Sequence, residues 1–557
     1  MTQPLTAVPG DPARGGTRRT FRVLLTDEID REGVELLEAE PALAVDEVPT
    51  LPADELLARI GDYDALIGRS ATRITAELLR RGTRLRVVGR AGVGVDNIAL
   101  DAATALGVAV INAPAGNTVA VAELFFGAVL GALRHLPAAD ASMRAGRWDR
   151  SRLLGRELHG RTLGIVGLGR IGTEVARRAR AFGMTVLAHD PYVPDERFHA
   201  VQAQRVDTLD ALLAAADVLT VHTPLNDETR GMIGRRELAR LKPGALVVNM
   251  ARGGIVDEAA LLAALAGEGG RELAGAVLDV FTTEPLPADH PLRTAPKVLL
   301  TPHLGASTAE GQRNVAVDVC LAVRDALLRD ELSRSLNVAA VSGMEWAELQ
   351  PALLVARRAA TLARALLADR GVRVVRRLAV RCGPALAGGS GACLAAAALG
   401  VLDGVVETER LNLINARALA EGRGLELAAA ASPHLEHPGA VEVTVSGGME
   451  AVTVAGVAAE GLAPRLTQIG SFRVDVAPRQ TLLVLTNHDV PGVIGRVGTL
   501  LGAAGVNIAE YHQARLAQGG EALAAIAVDG AMDETLRRGL LALPDVLSAT
   551  VVEFGAA

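Results

Sequence analysis

The feature that most narrows what this chain can fold into is Gly167-Leu168-Gly169-Arg170-Ile171-Gly172, set directly after the apolar run Thr162-Leu163-Gly164-Ile165-Val166 and followed by Asp190. Glycines between a strand and a helix let the backbone turn tightly and approach a pyrophosphate, while the helix N-terminus presents free N–H groups and a positive dipole end to the anion. An acidic residue closing the next strand, about twenty residues on, accepts hydrogen bonds from ribose hydroxyls and repels a 2′-phosphate. The pattern calls for a parallel βαβ layer and a dinucleotide, NAD in preference to NADP. Taken alone it competes with a plain glycine-rich turn beside a solvated Asp190.

The flanking sequence extends that layer. From Phe21 to about Asn117, runs such as Val23-Leu24-Leu25, Ala65-Leu66-Ile67 and Leu85-Arg86-Val87-Val88 alternate with helical patterns such as Asp54 to Ile60. A second series runs from Thr162 through Thr185-Val186-Leu187-Ala188, Val218-Leu219-Thr220-Val221, Ala245-Leu246-Val247-Val248 and Gly275-Ala276-Val277-Leu278 to Val298-Leu299-Leu300. Alternating strands and helices predict two doubly wound parallel sheets, both Rossmann-like. After Asn337 the rhythm fades into Ala, Gly, Leu and Val, which predicts a separate α+β domain. The final segment reads strand Thr481–Leu485, helix Val493–Ala503, strand Asn507–Ala514, a Gly519-Gly520 hairpin, strand Ala522–Val528, helix Asp533–Leu541 and strand Leu547–Val552, a ferredoxin-like βαββαβ order.

At 557 residues several cores are required. Half the residues are apolar, 22% are charged and the net charge is −7, a soluble globular balance that argues against a nucleic-acid partner. Lysine occurs only at Lys242 and Lys297, so a lone arginine carries little weight as a signal. Cys320, Cys382 and Cys393 have neither metal-ligand nor disulfide spacing; no metal site is expected, and they fit a reducing cytoplasm. Residues 1–20 read as a disordered tail without a secretory signal. The stretch Ala392–Leu402 is too short to span a bilayer, so no membrane association is expected.

Three further segments carry chemistry: Val248-Asn249-Met250-Ala251-Arg252-Gly253-Gly254, Leu278-Asp279-Val280-Phe281-Thr282-Thr283-Glu284-Pro285 and Thr301-Pro302-His303-Leu304-Gly305-Ala306-Ser307-Thr308. With the glycine motif they resemble the signatures of the D-isomer-specific 2-hydroxyacid dehydrogenase family, over Phe21 to about Asn337. The resemblance implies a substrate-binding domain over 21–117 and 303–337 and an NAD-binding domain over 118–302. Oxidising a secondary alcohol needs a base for the hydroxyl proton, and imidazole titrates near neutrality, which suits His303. Glu284 would accept the other imidazole N–H and fix the tautomer, and Arg252 would hold a substrate carboxylate through its planar fork. Each alone has a bland reading, as a structural histidine, a surface ion pair or a solvated turn; the joint pattern makes all three catalytic candidates. The resemblance also puts Arg170 and Ile171 along the cofactor phosphates, Thr223 near the adenine and Asp279 near the nicotinamide amide. Met250, Ala251, Arg252, His303, Gly305 and Ala306 complete its cofactor set.

Arg69-Ser70-Ala71-Thr72, Gly89 to Asn97 and Asn112 to Thr118 look like substrate loops of the phosphoglycerate dehydrogenases, making Arg69, Ser70, Arg90 and Asn117 substrate candidates. Gly146-Arg147-Trp148-Asp149-Arg150 resembles a segment that lends a basic residue to a neighbouring subunit's phosphate site; Asp149 departs from its basic character, leaving Arg150 as the donor. Asn487-His488-Asp489-Val490-Pro491-Gly492 with Gly505-Val506-Asn507-Ile508 looks like an ACT domain, over 478–557, which implies amino-acid binding. Asp489 and Asn507 match polar positions that contact serine in that family, and Asn487 replaces a ring-bearing residue; L-serine is the implied effector. The segment 338–477, with Asn412-Leu413-Ile414-Asn415-Ala416-Arg417 as its best local likeness, takes the place of the family's intervening, allosteric substrate-binding domain. The whole resembles the long-form D-3-phosphoglycerate dehydrogenases: NAD-dependent oxidation of 3-phosphoglycerate under serine control, in a homodimer or homotetramer. A glyoxylate or hydroxypyruvate reductase shares Arg252, Glu284 and His303, and a non-catalytic NAD-sensing protein shares the fold.

Overall fold

The computed structural model describes residues 20–267, 272–405, 410–458 and 463–554; apart from Thr20, the expected tail lies outside them. Two parallel sheets come first. One contains β1 Phe21–Leu25, β2 Leu43–Glu47, β3 Ala65–Gly68, β4 Val87–Arg90 and β5 Ala109–Asn112, in the order β2-β1-β3-β4-β5. The other contains β6 Thr162–Val166, β7 Thr185–His189, β8 Gln204–Arg205, β9 Val218–Val221, β10 Leu246–Asn249, β11 Gly275–Leu278 and β12 Val298–Leu300, in the order β12-β11-β10-β9-β6-β7-β8. Four-residue strands such as β9, β10 and β11 are buried at every position, the pattern of strands covered on both faces. In the second sheet the winding reverses between β6 and β9, which opens a crevice above their carboxyl ends, the usual ligand position in such sheets.

Two long helices tie the sheets together. Thr118–Leu133 leaves the first sheet and buries Val121, Phe125 and Val129 in the core of the second, beside Leu163 and Val175. Ala309–Arg329 returns and buries Val315, Val319 and Val323 against Val23, Leu25 and Ile67 of the first. Each such buried Val contributes roughly 1.5–3 kcal/mol. The approach is close: a Cβ on Gly89 would stand 2.8 Å from Val323 Cγ2. Asn337 then closes the segment, accepting from the Val110 N–H and donating to the Val108 carbonyl.

The third sheet is mixed: β13 Arg377–Cys382, β14 Glu426–Ala431, β15 Ala440–Gly447, β16 Glu450–Val457, β17 Arg465–Ile469 and β18 Phe472–Val476, in the order β14-β13-β15-β16-β17-β18. The fourth is antiparallel: β19 Thr481–His488, β20 Asn507–Arg515, β21 Glu521–Asp529 and β22 Val546–Glu553, in the ferredoxin-like order β20-β21-β19-β22. Its alternation serves two cores. Leu483 and Leu485 pack with Val497, Leu501 and Leu540 of its own helices, while Leu482 and Val484 join the core built on the helix Trp346–Asp369. The third and fourth sheets therefore share a core. The apolar stretch is longer than Ala392–Leu402: Pro384–Leu402 forms 19 helical residues, long and apolar enough to cross a membrane, but 67% of its most apolar part is buried, packed against Trp346–Asp369.

Candidate active site between two sets of strand ends

The glycine turn sits at the switch point. Gly167 has φ +92°, and a Cβ there would stand 2.7 Å from the His222 carbonyl oxygen, so both conformation and space demand glycine. Gly169 caps the helix Arg170–Ala181 with no side-chain hydrogen bond, and open space surrounds its Cα; Gly172 packs against the Gly167 carbonyl. The first-turn N–H groups thus face an accessible hollow, with Arg170 exposed and Ile171 half-buried at its edge. Asp190 does a second job that spacing did not reveal: its carboxylate accepts from the Leu168 N–H at 2.8 Å and the Tyr192 N–H at 2.9 Å, holding the glycine turn in place. Beside it, Thr223 Oγ1 and His222 Nδ1 are buried without a protein partner, as are Asn117 Oδ1 and Thr118 Oγ1 at the start of the helix whose Val121 lies against Gly305. Unfilled polar atoms around a glycine-floored hollow fit a bound dinucleotide. Burial lowers the His222 imidazole to about 4, so it is neutral at physiological pH.

Facing the hollow, the β10, β11 and β12 ends bring Arg252, Glu284 and His303 together. Asn249 shapes the first turn, accepting from the Ala251 N–H and donating to the Arg252 carbonyl. Met250 is buried and Ala251 half-buried. Arg252 Nε donates to Asp96 Oδ2 at 2.9 Å, joining the second sheet to the first across 156 residues. Gly253 lies against the Phe281 backbone, which places the Arg252 turn on the Glu284 turn. Glu284 Oε1 accepts from the Phe281 N–H at 3.0 Å, and Oε2 lies 2.7 Å from His303 Nδ1. With Nδ1–H donating to Glu284, Nε2 is the free imidazole nitrogen.

Asp279 is fully buried, and its carboxylate accepts from Thr301 Oγ1 and the Leu304 N–H on one oxygen and the Gly305 N–H on the other. The resemblance puts Asp279 near a nicotinamide; here it organises the loop that carries His303, which has φ +56°, and it leaves at most one lone pair for a ligand. Ala306 follows, half-buried.

The first sheet contributes the opposing wall. Asp27 accepts from the Arg69 N–H at 2.7 Å and the Thr72 N–H at 2.9 Å, and Asn97 donates to the Arg69 carbonyl, so the Arg69-Ser70 turn is rigidly held with Ser70 exposed. Arg90 is buried enough that its pKa falls to about 10, through desolvation first and then the nearby Arg252 and Arg69 charges, opposed by Asp96 and Asp27. Its Nε has no partner. Three guanidiniums, Arg69, Arg90 and Arg252, thus share one field, an anion's site. Asp96, Asp27 and Asn249 were not among the residues singled out from sequence; Asp96 and Asn249 lie inside the motifs that carry the family resemblance.

Two groups of sequence candidates are not brought to this cleft. Arg150 lies on the exposed turn Arg150–Arg152, and its side chain makes no hydrogen bond or ion pair among the described residues. In the fourth sheet Asn487 pairs with Ala522 and Asn507 with Asp529, opposite ends of β21. Asp489 is ion-paired to Arg515 at 3.0 Å, which with the Gly519 N–H holds its carboxyl below the usual range. Asn507 donates to Asp529, and buried Asn487 donates to the His488 carbonyl. One chain does not assemble these three residues into one site. No cluster of three or more metal-ligating side chains occurs among the described residues.

Comparison with known proteins identifies the family. The chain is 38% identical over 535 residues to D-3-phosphoglycerate dehydrogenase of Bacillus subtilis (strain 168), spanning 96% of this chain and 99% of that protein. The chain belongs to the D-3-phosphoglycerate dehydrogenase family. The protein of that name from Mycobacterium tuberculosis (strain ATCC 25618 / H37Rv) is 41% identical over 503 residues, 90% of this chain and 93% of the relative. Residues 126–305 match the family described as D-isomer specific 2-hydroxyacid dehydrogenase, NAD binding domain. Among solved structures, the TT0316 protein from Thermus thermophilus superposes with a TM-score of 0.51 at 36% identity, covering 57% of this chain and 99% of that one. A glyoxylate reductase from Paecilomyes thermophila superposes with a TM-score of 0.52 at 34% identity, covering 57% of this chain and 98% of that one.

Proposed function

We propose that this chain oxidises D-3-phosphoglycerate to 3-phosphohydroxypyruvate with NAD, the step that opens L-serine synthesis. It is an NAD-dependent D-2-hydroxyacid dehydrogenase, and the observation that carries the reading is the 2.7 Å His303–Glu284 pair on the turn that abuts Arg252, under the field of Arg69 and Arg90. NAD, when bound, supplies the hydride acceptor. Gly167, Gly169 and Gly172 would admit its pyrophosphate, with Arg170 and Ile171 alongside; Asp190, Thr223, Met250, Ala251, Asp279, Gly305 and Ala306 would line the rest.

His303 Nε2 takes the substrate hydroxyl proton, because Nδ1 is committed to Glu284, and Glu284 stabilises the imidazolium that results. Arg252 exchanges the exposed Asp96 carboxylate for the substrate carboxylate and polarises the α-oxygen. Arg69, Ser70, Arg90 and Asn117 hold the remaining polar groups. In the reducing direction His303 returns the proton. The test is NADH oxidation across a 2-oxoacid panel: 3-phosphohydroxypyruvate should be preferred by kcat/KM. Preference for glyoxylate would overturn the substrate, and no turnover on any 2-oxoacid would leave an NAD-binding protein without catalysis.

The same reading makes the protein a cytoplasmic homodimer or homotetramer inhibited by L-serine. Supporting an assembly, Met143, Trp148 and Leu154 are exposed large apolar side chains on the segment around Arg150. Supporting a paired effector site, Asn487 and Asp489 lie at one end of the fourth sheet and Asn507 at the other. Three free, buried cysteines suit a reducing compartment. Millimolar L-serine that changes neither turnover nor melting temperature would remove the effector from this account.

A further inference from the structure

Glu284 sits on the loop 282–289, which is exposed at every residue but Leu286. A loop with so little packing does not fix a side chain by itself, yet a carboxylate that orients an imidazole must be held within about half an ångström. Both ends of the loop are anchored. Phe281 and Leu292 are buried with Leu261 and Leu265 of the helix Glu258–Leu265, whose N-cap Asp257 accepts from the Ala260 N–H at 2.9 Å. The first residue of that helix is Glu258, and its carboxylate reaches the loop.

Glu258 grips both limbs. Its Oε1 accepts from the Thr282 N–H at 2.6 Å, just before Glu284, and its Oε2 lies 3.3 Å from His290 Nε2, just after the loop. A backbone N–H bonded to a carboxylate is among the stronger hydrogen bonds. His290 Nδ1 accepts from the Leu292 N–H at 3.3 Å, so the proton of the neutral ring is on Nε2, the nitrogen that faces Glu258. Arg293 tightens the second limb by donating to the Leu286 and Pro287 carbonyls. Two imidazole–carboxylate pairs thus meet on this loop. The Glu258 and His290 side chains are 16% and 23% exposed, against 36% and 48% for Glu284 and His303, so the rear pair is the better shielded from water and salt.

We infer that Glu258 and His290 are positioning residues for the reaction: they act through Glu284, fixing its turn so that Oε2 meets His303 Nδ1. The path is short, from Glu258 to the Thr282 N–H, and from the adjoining Phe281 N–H to Glu284 Oε1 at 3.0 Å. Phe281 stays anchored by its buried ring, so loss of the Glu258 grip moves the turn from Thr282 onward and leaves the Arg252 turn in place. Proton transfer slows while the cofactor and the substrate carboxylate are held as before. The inference rests on the roles given above to Glu284 and His303.

A double-mutant cycle on the native full-length protein tests it, with NADH and whichever 2-oxoacid wild type turns over best. E258A should lower kcat by about tenfold or more, with the KM for the 2-oxoacid and the NADH affinity from fluorescence titration as in wild type. E284A should cost more, and the double variant should be no slower than E284A, because a brace has nothing left to place. H290A should lower kcat by about threefold or more, and H290Q, whose amide still offers an N–H to Glu258, should return most of that loss. If E258A does not fold, H290A takes its place in the cycle with E284A. Wild-type kcat in the brace variant, or its full loss repeated on top of E284A, would overturn the inference. The two failures are distinct: wild-type turnover in E284A strikes the role of Glu284 itself and the brace with it, whereas an unimpaired brace variant beside an impaired E284A strikes the brace alone.

Discussion

Gly94→Ala separates the positioning of Arg252 from everything else in the site. Gly94 does not use left-handed backbone, so alanine is conformationally admissible there. The new Cβ would stand 2.7 Å from Asp96 Oδ2 and 2.8 Å from Arg252 Cζ, with Arg252 Nη2 closer still, against a floor of 3.0 Å for real Cβ contacts. The guanidinium is the flexible end of a long side chain, so it retreats by about an ångström, a misplacement that costs about a hundredfold in rate. In free energy that is about 2.7 kcal/mol of transition-state binding. Stability should hardly move. The exposed Arg252–Asp96 pair is worth about 0–1 kcal/mol, and Gly→Ala restricts the unfolded chain by about 0.4–1 kcal/mol in the opposite direction. The expected result is a kcat/KM for 3-phosphohydroxypyruvate about a hundredfold down, with the melting temperature and NADH affinity of wild type. Wild-type kcat/KM in a folded G94A protein would refute the placement of Arg252 at the reacting carboxylate, and an equal loss of NADH affinity would show that the backbone, not the arginine, had moved.

Other perturbations address single residues. His303→Ala should lower kcat by about a hundred- to ten-thousandfold while NADH titration stays near wild type; unchanged kcat would sink the assignment. Asp190→Asn keeps an acceptor for one of the two N–H groups but removes the charge, so discrimination against NADPH should relax by about tenfold; unaltered NADH-to-NADPH selectivity would show that the carboxylate only braces the turn. His222 has a folded pKa of about 4 against an ordinary 6.5. The unfolded chain therefore binds the proton more readily, and its contribution is present above pH 6.5 and lost as pH falls toward about 4, at up to about 1.4 kcal/mol per unit. Urea unfolding of His222→Gln should show a shallower loss over that window, and parallel wild-type and variant curves would contradict it.

What could be read from sequence follows how local each interaction is. The Gly167 turn, the β10 to β12 segments and the βαββαβ order depend on neighbours within one supersecondary unit, and their positions emerged directly. Asp96 pairs with a residue 156 positions away, and the bracing of the His303 loop by Asp279 becomes visible only when the strands are laid side by side. The shared core of the third and fourth sheets was equally hidden. Alternation in β19 shows that one face of Leu483 and Leu485 and another of Leu482 and Val484 are both apolar, but not that a helix more than a hundred residues earlier covers the second.

The candidate effector residues are the extreme case. Their spacing in sequence says nothing of their separation, which the strand register decides. Asn487 pairs with Ala522 and Asn507 with Asp529, seven positions apart on β21, or about 24 Å at about 3.4 Å per residue. A serine-sized ligand cannot touch both in one chain. A two-fold pairing of fourth sheets can, since in an isologous contact the Asn507 end of one chain meets the Asn487 end of the other and the reverse holds simultaneously. Two equivalent sites per pair then form or fail together. The proposed control by serine therefore stands or falls with chain pairing, whereas Arg252, Glu284 and His303 come together within a single chain.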